Sequence, residues 1–322
     1  MDRLHELVSL CKLLNDEYGR PPTRDEFKYD AGVSERVICS VGGFNKILQA
    51  AGLENKFIKE KKEPRRVKIL VLDIELFPMQ SYHWGMWDQN IGVDMMIEDW
   101  SVACWTAKWY GQEGHIFRSV KGQKDLRDDK KILEEMRDLM DEADVILGQN
   151  SKKFDVKKLY YRFIKHRIKP PSRFLQLDTK IISKRIAALS SNALAFMSKE
   201  INEKYQKLKH GKFPGFTLFL ECLKGNEEAW TEMETYNLYD CLATEEYYSI
   251  IAPYDTSINW NVFSHDHQNE CFCGSKNFYM HPKKKKITRV GRYALFICEE
   301  CGKDWYHRDN ELTKGKRESM LR

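Results

Sequence analysis

Asp73 and Glu75 are the first residues in this chain whose types and spacing suggest chemistry. They stand two apart at the end of the apolar run VKILVLD, and the period-2 geometry of a strand puts both carboxylates on one face, where they can share a cation. Two anions at the end of an apolar strand are costly unless a cation compensates them. The plainer reading is a solvated strand end leading into a turn at Pro78. Asp155 closes Asn150-Ser-Lys-Lys-Phe154-Asp155, where a short strand gives way to a helix, a place that suits a helix cap as well as a ligand. Tyr236 and Asp240, four apart in YNLYD, share a helix face, which packing or solvent alone would also explain. Asp178 in FLQLDTK ends another strand candidate and reads either as a fifth acid or as a structural one.

Toward the C-terminus, Cys271-Phe-Cys273 and Cys298-Glu-Glu-Cys301 form two knuckles separated by 24 residues. Four thiolates paired in this way make a closed tetrahedral site for one structural Zn²⁺, which can staple a module of about 50 residues too small to fold well alone. The first pair departs from the usual CxxC spacing, and His267 or His281 could replace one cysteine; free or redox-active cysteines are the competing reading. Between the knuckles, Lys283 to Lys286 and Arg289 are candidates for phosphate contacts or for a solvated lysine turn.

These residues need elements to hold them. VKILVLD and SVACWTAKWYG read as buried strands, with QSYHWGMW between them as a hairpin partner. Residues 125–142 carry helical periodicity, ADVILGQ is a short buried strand, and FDVKKLYYRFIKHRI is again helical, which is α/β order. Helical segments follow from Lys180, interrupted at HGKFPG by a turn or lid, and the last of them must stop before Pro253. The balance of 42% apolar and 31% charged residues excludes a disordered or membrane chain, and no apolar run approaches the roughly 20 residues that span a bilayer. MDRLHELVSLCKLLNDEYGR reads as an amphipathic helix and not as a signal peptide, so a cytoplasmic location is expected. The net charge of +5 is compatible with a polyanionic partner without requiring one.

Taken in order, Asp-x-Glu on a first strand, Asn-x-x-x-Phe-Asp after a later strand and Tyr-x-x-x-Asp on a late helix resemble the three exonuclease motifs of the DEDD superfamily. The stretch from DIELFP to WSVACWTAKWYG is most similar to stand-alone polymerase-type exonucleases of phages. The resemblance covers about residues 67–252 and implies a ribonuclease-H-like mixed sheet flanked by helices, in a bacterial or phage-infected cell. It also implies two Mg²⁺ or Mn²⁺ ions held by Asp73, Glu75, Asp155 and Asp240, with Tyr236 beside the attacking water and Asn150 and Phe154 at the terminal nucleotide. Packing of the turn is the preferred reading for Phe154. The histidine subclass would need its histidine where Thr235 stands, so the tyrosine branch is favoured. Two metals roughly 4 Å apart suit phosphodiester hydrolysis, and carboxylate oxygens suit hard cations.

The knuckles resemble a zinc ribbon, and Gly19-Arg-Pro-Pro22-Thr23 with Gly43-Phe44-Asn45-x-x-Leu48-x-x-Ala51-Gly52-Leu53 resembles the helical DNA-binding repeat associated with homing endonucleases; a protein-docking helical bundle is the alternative. The expected organisation is a helical accessory module at 1–56, a charged linker at 57–66, the exonuclease domain at 67–258, the ribbon at 259–312 and a basic tail at 313–322. The expected activity is 3′→5′ exonucleolysis of single-stranded or frayed 3′ ends, DNA preferred, in replication or repair. No polymerase palm or fingers fit in the remaining length, so any polymerase partner would act in trans. An RNA exonuclease on the same site and a catalytically inactive nucleic-acid-binding module are the alternatives.

Overall fold

The computed structural model describes residues 3–53, 67–88, 90–209, 211–263 and 269–320, in two compact units, Met1–Arg65 and Arg66–Arg322. The charged linker expected at 57–66, residues 321 and 322 of the basic tail, and His267 lie outside the described residues.

The first unit holds α1 (Arg3–Tyr18), α2 (Arg24–Asp30), α3 (Glu35–Ser40) and α4 (Phe44–Ala50). Their apolar faces meet in one core, where the Phe27 and Phe44 rings pack 5.3 Å apart among Leu7, Cys11, Ile38 and Ile47. Thr23 opens α2 with a capping box: its hydroxyl accepts from the Glu26 N–H, and its own N–H donates to the Glu26 carboxylate at 2.7 Å. The two short sequence motifs converge here, since Pro22, Thr23, Arg24, Gly43, Phe44 and Asn45 line one cleft of about 340 Å³.

The second unit runs β1 (Ile69–Phe77), β2 (Gln80–Ser81), β3 (Met96–Glu98), β4 (Ser101–Trp109), β5 (Ile116–Ser119), α5 (Lys130–Glu142), β6 (Val145–Gly148), α6 (Asp155–His166), β7 (Leu175–Asp178), α7 (Thr179–Ile186), α8 (Leu194–Ile201), α9 (Phe216–Leu223) and α10 (Glu227–Ile251). It continues with β8 (Phe278–Thr288), β9 (Gly291–Cys298), β10 (Asp304–Tyr306) and α11 (Lys314–Glu318). The main sheet has the order β5-β4-β1-β6-β7, antiparallel on the β4 side of β1 and parallel on the β6 side. This is the mixed, helix-flanked, RNase H-like sheet.

β1 is apolar on both faces because it lies centrally and is covered on both sides. Leu70, Leu72 and Ile74 enter one core with Trp105, Met136, Leu159 and Phe163. Ile69 and Val71 enter the other with Leu147, Leu177, Tyr247 and Tyr248. Asp73 and Glu75 fall at the next two positions of this second row, and the β1–β4 register shifts between Glu75 and Leu76.

The aromatic run after β1 differs from the expected hairpin partner. Only Gln80 and Ser81 are in a strand, they pair with β3 and not with β1, and Trp84 stands 98% exposed beyond them. Lys283 to Lys286 likewise form part of β8 and not a turn. α10 ends at Ile251, ahead of Pro253, and HGKFPG is no free lid in its described part, because Gly211 and Lys212 N–H groups donate to Glu232 on α10.

The ribbon strands, in the order β10-β9-β8, belong to the same compact unit as the main sheet. Phe272 inserts among Trp260, Tyr110 and Tyr248, with ring centroids 4.7, 5.3 and 5.3 Å away, and the buried Lys303 ammonium donates to the carbonyls of Ala252 and Asp255 just beyond α10.

One buried ion pair ties α5, α6 and β4 together. Asp129 accepts from Arg162 Nε at 2.7 Å and Nη2 at 2.6 Å, from the Val102 N–H at 2.8 Å and lies 2.7 Å from His166 Nε2. Replacing Arg162 by Met strands a fully buried carboxylate, so urea unfolding is expected to show a loss of about 3–5 kcal/mol. A loss below about 1 kcal/mol would mean that this network does not hold the helices to the sheet.

Candidate active site and metal centre

The sheet brings Asp73 and Glu75 against α10, where ligand oxygens of Asp73, Glu75 and Asp240 lie within 4.8 Å of one another. Asp155 is outside that group of three but beside it. As the first residue of α6 it is buried, and its Oδ1 accepts from the Ile74 N–H, between Asp73 and Glu75, at 3.2 Å. The helix-cap position falls on Phe154, and the Asp155 side chain accepts from its own N–H at the start of α6 as well as from Ile74 in β1.

The turn carrying Asn150 is built by residues outside the motif. Asn150 adopts a left-handed conformation, φ 62°, which asparagine tolerates better than most residues. Its N–H and that of Lys152 donate to Asp178 at 3.0 and 3.1 Å, and Asp178 also caps α7 through Lys180 and Ile181. Asp178 is thus a structural acid. A Cβ at Gly148 would lie 2.7 Å from the Ser151 Cβ and 3.3 Å from the Leu72 carbonyl, so glycine is what lets this turn close against β1. Phe154 is 39% exposed, with the Lys158 ammonium 5.7 Å from its ring centroid.

On α10, helical spacing aims Tyr236, Asn237 and Asp240 at the same region. The Asn237 amide donates to Asp73 Oδ2 at 2.6 Å. Lys207, from the segment before α9, pairs with Asp240, and its ammonium lies 4.3 Å from the Tyr236 ring centroid. Tyr239 points elsewhere, against Tyr205 with centroids 6.2 Å apart. Asn237 and Lys207 escaped the sequence reading. Asn237, three before Asp240, had a helical-spacing signal; Lys207 had none.

Burial, followed by the charges of Asp240, Asp155 and Glu75, holds the Asp73 carboxyl well above the usual range. Burial and Asp240 push Glu75 up to about 8, and burial pushes Asp155 up to about 7. Burial acts to lower the Lys207 ammonium, but Asp240 outweighs it and the net direction is upward. One lysine therefore leaves the carboxylates short of positive charge, and the partly exposed Asp73 and Glu75 give access from solvent. An all-oxygen donor set of this kind fits a hard divalent cation.

The second cluster is sulfur. Ligand atoms of Cys271, Cys273, Cys298 and Cys301 lie within 4.8 Å of one another, with Cys271–Cys301 and Cys273–Cys298 Sγ separations of 3.5 and 3.6 Å. Those separations are too long for disulfides and near the edge of a tetrahedron with metal–sulfur bonds of about 2.3 Å. Burial would raise the Cys298 thiol, but N–H groups of Cys301 and Glu300 bring it down to about 7, which favours the thiolate that a metal needs. His281 is engaged elsewhere, its Nδ1 accepting from the Lys283 and Lys284 N–H groups.

The chain carries an RNase_H superfamily domain: residues 98–252 match the family RNase_H_2, described as RNase_H superfamily. The matched stretch contains Asp155, Tyr236 and Asp240, whereas Asp73 and Glu75 precede it. The structure is similar to that of the family B DNA polymerase from the hyperthermophilic archaeon Pyrobaculum calidifontis, with a TM-score of 0.43 and 15% identity, over 61% of this chain and 26% of that one. No curated protein matches the sequence. Among the described residues no helix is long and apolar enough to cross a membrane.

Two outcomes follow from the electrostatics. Glu75 and Asp155 have folded values raised above their unfolded ones, so metal-free protein holds protons that the unfolded chain has released, and its stability falls as pH rises from about 4.5 to about 8. Mg²⁺ or Mn²⁺ must displace those protons, so the rise in melting temperature on adding either ion should be larger at pH 8 than at pH 6; an equal rise at both would contradict a proton-loaded cluster. For the sulfur site, elemental analysis of protein purified without chelator should find one zinc per chain in the wild type and none in Cys298→Ser/Cys301→Ser. Because Phe272 and Lys303 rest on the main core, the variant should also melt earlier across the second unit.

Proposed function

We propose that the protein is a 3′→5′ exonuclease of the DEDD type, tyrosine branch, acting on DNA ends, with Asp73, Glu75, Asp155 and Asp240 as ligands for two Mg²⁺ or Mn²⁺ ions. The observation that carries this reading is the convergence of Asp73, Glu75 and Asp240, with Asp155 on the intervening Ile74 N–H, at one end of an RNase H-like sheet. When bound, the two cations would supply an activated water, neutralised charge at phosphorus and a stabilised departing 3′ oxygen.

The chain's own residues do the rest. Asn237 fixes the rotamer of Asp73, and the Ile74 N–H fixes that of Asp155, so the donors are held before substrate arrives. Burial raises the Tyr236 hydroxyl above its ordinary value despite Lys207, so it stays protonated near neutral pH. It can therefore orient the attacking water by donating or accepting a hydrogen bond, but it is not a base. Lys207 keeps a positive charge at Asp240 and holds the Tyr236 ring in place. The exposed Phe154 ring offers a face to the terminal nucleotide, beside the turn at Asn150. Hydrolysis would join the water oxygen to phosphorus and release a nucleoside 5′-monophosphate and a new 3′ hydroxyl. The likeness of the N-terminal motifs to a DNA-binding repeat supports DNA over RNA. The same likeness suits a role in replication or repair, with a polymerase acting in trans.

Digestion of end-labelled single- and double-stranded DNA and RNA with Mg²⁺ or Mn²⁺ should give stepwise loss from DNA 3′ ends, and faster loss from RNA would transfer the reading to RNA. Asp73→Ala or Asp240→Ala should abolish hydrolysis while the protein still folds. Tyr236→Phe keeps the ring and should lower turnover by a factor of about 10² with little change in substrate affinity or melting temperature. Tyr239→Phe, on the Tyr205 side of α10, should be much milder. Near-wild-type rates for both phenylalanine variants would leave Tyr236 with a packing role only.

A further inference from the structure

The formal net charge of +5 is concentrated in one region. Residues 269–320 hold twelve Lys and Arg against seven Asp and Glu, and the rest of the chain is balanced. Residues 78–107, which follow the candidate active site in β1, contain no Lys or Arg but do contain Asp88, Asp94, Glu98 and Asp99. That stretch itself offers a polyanion no cation.

β8 and β9 pair from Phe278–Cys298 at the knuckle end to Thr288–Gly291 at the turn, so the hairpin carries its turn about 23 Å from Cys298. At that far end Arg289, Tyr293, Asn310, Lys314, Arg317 and one acid, Glu318, line a cleft of about 710 Å³. Its cations differ in their engagement. Lys314 pairs with Glu318 and the neighbouring Arg292 with Glu311, whereas among the described residues neither Arg289 nor Arg317 has an acidic partner. The cleft also has an aromatic wall. A Cβ at Gly291 would lie 2.5 Å from the Tyr293 hydroxyl, so glycine lets that ring lie over the turn, and Tyr306 stands 5.9 Å behind it with the Lys286 ammonium 5.8 Å from its centroid.

We propose that this cleft binds a single-stranded stretch of nucleic acid, with Arg289 and Arg317 on phosphates and Tyr293 against a base, and so holds the body of the strand whose 3′ end is cut at the carboxylates. The partner class rests on the nuclease reading. Two unpaired guanidinium groups flanking an aromatic face match the two things every single strand presents, a regular anionic backbone and stackable bases. The site reads no sequence, because neither contact distinguishes one base from another.

The test uses the full chain carrying Asp240→Ala, without chelator so that the ribbon keeps its metal while nothing is hydrolysed, and follows fluorescence anisotropy of a labelled single-stranded oligonucleotide over a salt series. Arg289→Gln/Arg317→Gln should weaken binding about tenfold or more at moderate salt and flatten the slope of log K against log salt by about 1.4, from two lost phosphate contacts. Lys131→Gln/Arg173→Gln removes the same charge from α5 and the loop before β7, and should change neither. With Asp240 intact, cleavage of an oligonucleotide too short to reach the cleft should keep its wild-type rate in both variants. An unchanged affinity and slope in the cleft variant, with an unchanged melting temperature, overturns the proposal, as does an equal loss in the control variant. Wild-type protein that binds the strand with this arginine dependence but cleaves nothing in Mg²⁺ or Mn²⁺ would refute the nuclease reading and leave the cleft standing.

Discussion

Negative charge placed on one face of a buried strand is the constraint that organises the second unit. β1 follows the rule for a central, doubly covered strand through Ile69, Leu70, Val71 and Leu72, and then breaks it twice on a single face, at Asp73 and Glu75. A carboxylate there loses hydration, and each further acid raises the cost for the others. The fold answers with directed polar groups: the Ile74 N–H for Asp155, the Asn237 amide for Asp73 and the Lys207 ammonium for Asp240. These partners fix where each oxygen points without cancelling the charge. That combination of fixed direction and residual charge is what a divalent cation requires of its ligands.

How far this was legible from sequence varies with the range of the interaction. Runs such as VKILVLD and SVACWTAKWYG became β1 and β4 because burial on both faces leaves an unbroken apolar signature, and the spacing of Tyr236 and Asp240 needed only helical periodicity. Lys207 could not be found that way. It acts across a gap of 33 residues in sequence, from a segment with no periodicity, and only the packed chain reveals its partner. Asp178 was ambiguous for a related reason: an acid at a strand end looks the same whether it binds an ion or four N–H groups, and the left-handed turn at Asn150 that decides between them is a three-dimensional fact. The basic run at Lys283 to Lys286 misled in another direction, since lysines on an exposed edge strand keep their charges in water as easily as lysines in a turn, and also protect the edge from unwanted pairing.

The aromatic segment after β1 shows the limit of pattern reading. An alternating run rich in Trp and Tyr has high strand propensity, yet propensity reports fit to a half-buried surface, and Tyr82, Trp84 and Trp87 stand largely exposed. The clustering of exposed aromatic groups beyond the last sheet residue of β1 contrasts with the basic hairpin of the ribbon.

The shortened first knuckle has a consequence for how the ribbon is tied to the rest of the unit. With only Phe272 between Cys271 and Cys273, any metal gripping both thiols sets the backbone on either side of that one ring, and the ring is the piece that seals the aromatic cavity of Tyr110, Tyr248 and Trp260. Metal capture and closure of that aromatic cavity are thereby coupled. Without the metal, the far end of the helix carrying Tyr236 and Asp240 would lack both its aromatic cover and the lysine that ties down the carbonyls of Ala252 and Asp255 just beyond it. Loading of the ribbon and firmness of the far end of α10 are thus linked through two side chains, Phe272 and Lys303.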